Sequence, residues 1–370
     1  MVLMMARQAT VLTLLLLLLL ARSDTQVASR NVTLCHDVDG NGVIDVVDAQ
    51  QVAAHAVGST YHPGFDVNGD GEVNILDVTS VADAWHTTTG LCMPGNGGAA
   101  PWLAVSSWVY QLTGYPNDSL NQIAGSNFQL AVVDLARDGS GDFFTRSEIA
   151  AVQATGKIVL AYFEIGAIEE YRPEWPLTPP DLMLGPVNGW PGEQYVKYWD
   201  PRWWPIVRGR IDQAIAAGFD GAYLDMVVTY EEIPANSAGT NRDDLASKMV
   251  DLIDQTSDYA RSIDPDFKIV PQNAPELHTW PLYLPAIDGL GMEEMYYRAT
   301  NQACNQSWCA ENRANAAAVR AAGKLVLAVD YTNQAAKIAD AYTRARAAGF
   351  VPYCSDVALD VMRVNPGWDP

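Results

Sequence analysis

Eight short apolar runs recur between residue 102 and the end of the chain, and most of the segments between them place apolar residues at helical spacing. Buried strands of a parallel sheet are nearly continuous apolar runs, and helices connect them. Eight repeats over about 250 residues predict an α/β fold, a (β/α)8 TIM barrel. The runs lie at 105–112, 129–135, 157–165, 220–226, 267–273, 286–293, 324–331 and 349–355. The helical segments lie at 145–156, 201–218, 241–264, 311–323 and 333–349.

An open doubly wound sheet is the alternative to a barrel. It predicts a glycine-rich phosphate-binding turn after the first strand, and residues 110–118, YQLTGYPND, contain no such turn. The barrel is therefore the favoured architecture for residues 102–370.

Polar side chains occupy the C-terminal ends of all eight predicted strands, and five of these ends carry acids. In a (β/α)8 barrel the strand ends form one rim, where active sites lie. Carboxylates that converge at one rim repel one another unless a substrate or an ion binds to them. A functional site is therefore favoured over the alternative, in which these side chains only hydrogen-bond to the loops after the strands. The residues are Tyr110, Gln111, Asp134, Tyr162, Glu164, Asp225, Gln272, Asn273, Glu293, Glu294, Asp330, Tyr331, Tyr353 and Ser355.

Carboxylates are the candidate acid, base and nucleophile of this site. The chain has five histidines, and only His278, interpreted as a loop or helix-start residue, belongs to the barrel segment. That segment has no HExxH, CxxC, GxSxG or P-loop sequence, which argues against a histidine triad or a histidine-rich zinc site. Hydrolysis of a glycosidic bond needs two carboxyl groups, one to protonate the leaving oxygen and one to attack or to activate water.

The charge of the chain limits its partners. A formal net charge of −21 argues against nucleic acid and anionic membranes, which attract basic surfaces, and fits a neutral or cationic substrate. Residues 1–22 are predicted to be a signal peptide, because Arg7 precedes the apolar run 11–21 and small or polar residues follow. We therefore expect a secreted chain with no membrane contact after cleavage, an uncleaved anchor being the alternative.

Five cysteines fit an extracellular location, where disulfides form. Cys35 and Cys92 bracket one segment and could close it, and Cys304 and Cys309 could staple one loop. Cys354 stands in an apolar run, which favours a buried thiol over a nucleophile.

Residues 31–93 contain one loop pattern twice, DVDGNGVIDVVD at 37–48 and DVNGDGEVNILD at 66–77, each followed by a helical pattern. Oxygen-bearing residues stand at loop positions 1, 3, 5, 9 and 12, a glycine turns the chain at position 6, and position 7 offers a backbone carbonyl. The pattern predicts two Ca²⁺ ions. The ligands are Asp37, Asp39, Asn41, Val43, Asp45 and Asp48, then Asp66, Asn68, Asp70, Glu72, Asn74 and Asp77.

These loops end in Asp rather than Glu and no helix precedes them, so the segment resembles a dockerin domain. The resemblance implies a small all-α domain that folds with calcium and docks onto a cohesin module. A calcium-stabilised appendage without a cohesin partner is the equal alternative. Residues 94–101, rich in glycine and proline, are predicted to link this domain to the barrel.

The barrel segment resembles glycoside hydrolase family 114 over about residues 102–365, on the fragments WVYQL, VVDLARD, AYFEIG, WDPRWW, GFDGAYLDM, VPQN and GMEEMYY. The resemblance implies endo-α-1,4-polygalactosaminidase activity, with catalytic carboxylates at the ends of the fourth and sixth strands. These match Asp225, predicted as nucleophile, and Glu293, predicted as general acid/base, although the adjacent Glu294 competes for that role. It further implies that the sugar contacts Asp134, Tyr162, Glu164, Asn273, Glu294 and Asp330.

Tryptophans between the third and fourth strands are further candidates for sugar stacking. Trp190 and Trp199 fit that role, whereas Trp203 and Trp204 are expected to pack a helix. Two other functions stay open at this point. One is a non-catalytic carbohydrate-binding barrel anchored through the calcium domain, and the other is a calcium-dependent cell-surface adhesin.

Overall fold

A computed structural model of the chain describes residues 102–238 and 241–370. The predicted signal peptide, the calcium domain with its twelve ligands, and the Cys35–Cys92 pair lie outside the described residues. Within the described ranges no helix has the length and apolar character needed to cross a bilayer.

Eight parallel strands form the predicted barrel, and each apolar run of the sequence contains one of them. In chain order all strands of the described residues are β1 Trp108–Gln111, β2 Leu130–Asp134, β3 Ile158–Glu164, β4 Ala167–Glu169, β5 Met183–Pro186, β6 Glu193–Val196, β7 Gly221–Asp225, β8 Lys268–Pro271, β9 Gly289–Glu293, β10 Tyr297–Arg298, β11 Gln302–Ala303, β12 Leu325–Tyr331 and β13 Val351–Ser355.

The barrel strands pair in two groups. Five pair in the order β1-β2-β3-β7-β8 and three in the order β9-β12-β13, and a parallel bridge from Gln272 to Gly291 joins the two groups. Between β1 and β13, Trp108 Nε1 donates to the Val351 carbonyl at 2.9 Å, which closes the ring.

Helices cover the outside of the barrel, and the five longest confirm the five helical segments predicted from the sequence. Two of these helices have ends that the local sequence explains. The helix beginning at Arg146 has a capping box between Thr145 and Glu148, and the helix ending at Ala217 stops at Gly218 with φ 83°. The helices are α1 Asn121–Ala124, α2 Arg146–Gln153, α3 Trp204–Ala217, α4 Thr229–Glu232, α5 Arg242–Ile263, α6 Tyr283–Ala286, α7 Ser307–Ala321 and α8 Ala335–Ala347. Short 3-10 turns lie at Trp102–Ala104, Pro116–Asp118, Trp175–Leu177, Pro180–Leu182 and Pro275–Thr279, and the last contains His278.

Aromatic side chains fill the inside of the barrel. Trp108 stacks on Tyr110 with ring centroids 5.7 Å apart, and Tyr223 lies 5.2 Å from Tyr110. Tyr353 approaches Trp108 at 5.8 Å, and all four rings are at most 1% exposed. Because both faces of the strands are buried, their sequences are continuous apolar runs rather than alternating ones.

An antiparallel sheet of three strands, in the order β4-β6-β5, interrupts the connection from β3 to α3. The sequence analysis did not predict this sheet, nor the β10–β11 hairpin. Trp203 packs beside the insertion, and its buried Nε1 donates to the Ile165 carbonyl at 2.8 Å. The insertion extends the wall above the C-terminal ends of the strands.

Two of the cysteine predictions fall within the described residues, and both are confirmed. Cys304 and Cys309 form a disulfide between the β10–β11 hairpin and α7. Cys354 is a free, buried thiol in β13.

Candidate active site

A cavity of about 610 Å³ opens at the C-terminal ends of the barrel strands. Asp225 at the end of β7 and Glu293 at the end of β9 both lie in its wall. Gln272 follows β8, the strand between them. The residue after each of these three, Met226, Asn273 and Glu294, has a positive φ of 56° to 63°. This uncommon backbone turns the chain sharply outward at the rim.

The side-chain amide of Gln272 joins the two carboxylates. Its Nε2 donates to Asp225 Oδ1 at 2.8 Å and to Glu293 Oε2 at 2.9 Å. Tyr110 donates to Gln272 Oε1 at 2.8 Å, which fixes the orientation of the amide. Since the two N–H bonds of an amide diverge by roughly 120°, the two bridged oxygens lie about 5 Å apart.

Two more hydrogen bonds reach Asp225. Tyr162 donates to Oδ2 at 2.6 Å and the Met226 amide donates to Oδ1 at 2.6 Å. Burial raises the pKa of Asp225, and the bonds from Tyr162 and Met226 oppose that rise because they stabilise the ionised form.

Glu293 also receives bonds from the tyrosine and amide side chains around it. Tyr331 donates to Oε1, and Asn273 Nδ2 donates to Oε2 at 3.0 Å. Burial, followed by the charge of Asp225, raises the pKa of Glu293 to about 7. A carboxyl group with such a pKa can donate a proton near neutrality and accept one afterwards.

Glu294 is not part of this carboxylate pair. Its Oε1 accepts a hydrogen bond from the Ala299 amide at 2.9 Å, in the loop that follows β9. Glu294 lines the cavity, but Glu293 alone of the two shares the Gln272 amide with Asp225. Strand β9 ends at Glu293, and the positive φ of 56° at Glu294 starts the turn into that loop.

The other predicted sugar contacts have different environments. Asp134 lines the cavity but forms a buried two-bond ion pair with Arg172, both bonds 2.8 Å long. Tyr162, Glu164 and Asn273 also line the cavity. Asp330 lies outside the lining, and its carboxylate accepts bonds from the Tyr296 and Tyr297 amides at 2.6 and 2.7 Å. These bonds hold the loop after β9.

Several residues of the site were not predicted to be catalytic or to contact the sugar. Gln272 and Tyr331 were visible as polar strand ends, yet nothing in the sequence marked them as partners of the carboxylates. Glu169 of β4, Arg172 of the loop after β4 and Glu193 of β6 line the cavity. The sequence around these three residues has no periodic pattern that predicts the insertion, so their position in the cavity could not be predicted.

The tryptophans divide into one cavity residue and three packing residues. Trp190 lines the cavity and is 55% exposed. Trp203 is fully buried, as expected. Trp204 and Trp199 make edge contacts with Tyr259 and Tyr198, on the outer surface near α5.

The barrel segment matches the family model described as "Glycoside-hydrolase family GH114" over residues 94–367, and residues 35–84 match the model of the dockerin type I domain. An uncharacterized protein of Deinococcus radiodurans is 37% identical over 266 residues, which cover 71% of this chain and 84% of the relative.

Two solved structures share the barrel fold. The glycoside hydrolase domain of PelA from Pseudomonas aeruginosa superposes with a TM-score of 0.57 at 17% identity, covering 70% of this chain and 98% of that domain. Aspergillus fumigatus Ega3, solved in complex with galactosamine, gives a TM-score of 0.56 at 19% identity, with coverage of 73% and 99%. The family match spans the whole barrel and every element that contributes to the cavity, so this chain belongs to glycoside hydrolase family GH114.

Proposed function

We propose that the barrel is an endo-acting glycosidase that cleaves α-1,4-linked galactosamine polymers with retention of anomeric configuration. The observation that carries the proposal is the amide of Gln272, which is hydrogen-bonded to Asp225 and Glu293 at once. A separation of about 5 Å between the carboxyl oxygens corresponds to retaining glycosidases, whereas inverting enzymes keep about 6.5–9.5 Å to admit a water molecule.

In this mechanism an ionised oxygen of Asp225 attacks the anomeric carbon while protonated Glu293 gives its proton to the leaving glycosidic oxygen. The sugar is then bonded to Asp225, and Glu293 is ionised. A water molecule next gives a proton to Glu293 and attacks the same carbon, which releases Asp225. The pKa of about 7 suits Glu293 to both steps.

The substrate class is supported by the charge of the cavity and by one structural relative. Glu164, Glu169, Glu193 and Glu232 line the cavity besides the catalytic pair, and such a wall attracts a cationic sugar. The related Ega3 structure was solved with galactosamine, whose free amine is such a cation. A non-catalytic carbohydrate-binding barrel is the alternative function, and only hydrolysis distinguishes it from an enzyme.

We further propose that the chain is secreted and that residues 31–93 form a calcium-dependent docking domain. The dockerin type I match over residues 35–84 supports two bound Ca²⁺ ions and a cohesin partner. Catalysis itself needs no metal in this scheme. A chelator should therefore remove docking and leave hydrolysis by the barrel unchanged, whereas a calcium adhesin would lose all function.

The deciding experiment incubates the purified chain with α-1,4-galactosamine polymer and follows new reducing ends and their anomeric form. Asp225→Asn should reduce hydrolysis by about 10⁴-fold, while binding of the polymer survives. Asp258→Asn, an exposed acid on α5, serves as the control and should match the wild type. A wild-type chain that cuts no polysaccharide across a broad panel would refute the enzymatic proposal.

A further inference from the structure

Another cleft lies on the outside of the barrel, between α5 and the loop that joins β6 to α3. Its volume is about 140 Å³, and it shares no lining residue with the catalytic cavity. Trp199 and Trp204 line it together with polar side chains of α5, among them Asp251 and Gln255. Aromatic surface beside a few hydrogen-bonding groups is the usual composition of a small-molecule site. A sugar matches this composition, because its ring presents C–H groups on one face while its hydroxyls need donors and acceptors.

The two tryptophans are held in place by tyrosines. Trp199 packs on Tyr198 with ring centroids 5.0 Å apart and planes at 89°, and the Tyr198 hydroxyl donates to the Leu245 carbonyl of α5 at 2.7 Å. Trp204 packs on Tyr259 in the same way, with centroids 5.7 Å apart and planes at 88°. The Tyr259 hydroxyl is hydrogen-bonded to two side chains of α3. Because these contacts already order both tryptophans, a ligand loses little free energy in fixing them.

The polar wall of the cleft comes from one stripe of α5. Lys248, Asp251 and Gln255 follow one another at steps of three and four residues, which places them on one face of the helix. Lys248 is paired with Asp244 at 2.9 Å. Asp251 and Gln255 are exposed, and their side chains make no hydrogen bond within the described part of the chain. One carboxylate that accepts, and one amide that both donates and accepts, are therefore available beside the tryptophans.

The size of the cleft indicates one unit of a polymer rather than a separate ligand. Sites that enclose a drug-sized molecule have volumes of about 300–1,000 Å³. A cleft of about 140 Å³ holds one sugar ring, and the rest of a sugar chain lies across the surface beside it.

The inserted sheet connects this cleft to the catalytic cavity. Glu193 of β6 lines the cavity, and Trp199 follows it by six residues in the chain. Six residues span at most about 22 Å, which limits the distance between the Cα atoms of these two residues. A polymer of several units that leaves the cavity over the inserted sheet can reach the cleft. Two contacts with one polymer chain bind it more strongly than either contact alone, because the first raises the effective concentration for the second.

We propose that Trp199, Trp204 and Gln255 form a non-catalytic binding site for one sugar unit of the polymer, outside the catalytic cavity. The ring stacks on the tryptophans, and Asp251 and Gln255 bind its hydroxyls. The site holds the barrel on long chains and so favours cleavage of polymer over cleavage of short oligosaccharides. This inference rests on the proposed glycosidase function, because the bound unit belongs to the polymer that the cavity cleaves.

Binding tests this site without hydrolysis. In an Asp225→Asn background, affinity electrophoresis measures the dissociation constant for the galactosamine polymer, and titration calorimetry measures that for a galactosamine trisaccharide. Trp199→Ala should weaken binding of the polymer about tenfold and change binding of the trisaccharide less than about twofold. Asp251→Ala combined with Gln255→Ala should weaken binding of the polymer about threefold.

The double alanine variant keeps the test open if Trp199→Ala does not fold. Both of its positions are exposed on a helix, where alanine is well tolerated. Trp308→Ala is the matched control for the loss of a tryptophan. Trp308 is 40% exposed on α7 and lines neither the cavity nor the cleft, so this variant should bind both ligands like its parent.

Three results would overturn the site: polymer binding within about twofold of the parent in every variant that folds, an equal loss for the trisaccharide, or an equal loss in Trp308→Ala. A parent that is dimeric in light scattering and that Trp199→Ala converts to a monomer would assign the cleft to a protein contact and overturn the proposal too. Polymer binding that depends on the cleft, in a chain that hydrolyses nothing, would instead overturn only the glycosidase proposal.

Discussion

Replacing Tyr331 with phenylalanine should move the alkaline limit of activity upward. Tyr331 donates a hydrogen bond to Glu293 Oε1, and this bond lowers the pKa of Glu293 by stabilising its ionised form. Burial keeps the pKa of the Tyr331 hydroxyl well above its ordinary value, so it acts as a donor throughout the working range of pH. Removing the hydroxyl leaves Glu293 harder to ionise.

The size of the shift follows from the strength of a hydrogen bond to a charged group. Such a bond contributes about 1.5–3 kcal/mol, and one pKa unit corresponds to about 1.4 kcal/mol. The pKa of Glu293 should therefore rise by about one to two units from its value of about 7. Because the general acid must be protonated, the descending limb of kcat/KM should shift to higher pH by the same amount.

The assay is the pH profile of kcat/KM for the wild type and the variant on galactosamine polymer. Tyr162→Phe is the matched control, since Tyr162 donates to Asp225 Oδ2 at 2.6 Å. Losing the Tyr162 hydroxyl raises the pKa of the nucleophile Asp225, because this hydrogen bond stabilises the ionised carboxylate. The ascending limb of the kcat/KM profile should therefore move to higher pH, and the descending limb should stay in place. A descending limb that moves down or stays in place in Tyr331→Phe would refute the assignment of Glu293 as the general acid.

Three further predictions concern stability and are checked by thermal or denaturant unfolding. Arg172→Met should lower the free energy of unfolding by about 3–5 kcal/mol, because Asp134 keeps a buried carboxylate without its partner, and Asp134→Asn in the same chain should recover part of the loss. Gly291→Ala should lower the free energy of unfolding by about 1–3 kcal/mol, because the added methyl group overlaps the buried hydroxyl of Tyr223 inside the barrel. Gly209→Ala is the control: it lies in the middle of α3 with open space around it, and it should raise the free energy of unfolding by up to about 1 kcal/mol. Cys304→Ser should cost about 2 kcal/mol through the released loop, and an unchanged midpoint would show that the disulfide adds no stability.

Much of the barrel could be predicted from the sequence, because strands buried on both faces must be apolar along their whole length. The eight runs contain the eight barrel strands, and the amphipathic segments contain α2, α3, α5 and α8. They also predicted α7, which begins at Ser307, four residues before its predicted segment. Asp225 and Glu293 could be identified as candidates because an acid that ends an otherwise apolar strand is unusual and needs polar partners or a ligand. The barrel topology then requires both to lie at one rim.

The partners of these acids could not be predicted, because they depend on distances that no local pattern encodes. The Gln272 amide between the carboxylates results from the order of strands around the ring. Asp330 resembled the other strand-end acids in sequence, yet its carboxylate accepts hydrogen bonds from the backbone amides of a loop. Arg172 reaches Asp134 from the loop after β4, and no periodic pattern in the sequence marks that loop.

The sequence by itself determined the architecture and the candidate carboxylates, since burial and strand ends leave their mark on consecutive residues. The tertiary structure decided which acids are paired and which of Glu293 and Glu294 lies beside Asp225. These properties arise from contacts between residues far apart in the chain, and only the closed barrel with its inserted sheet brings those residues together.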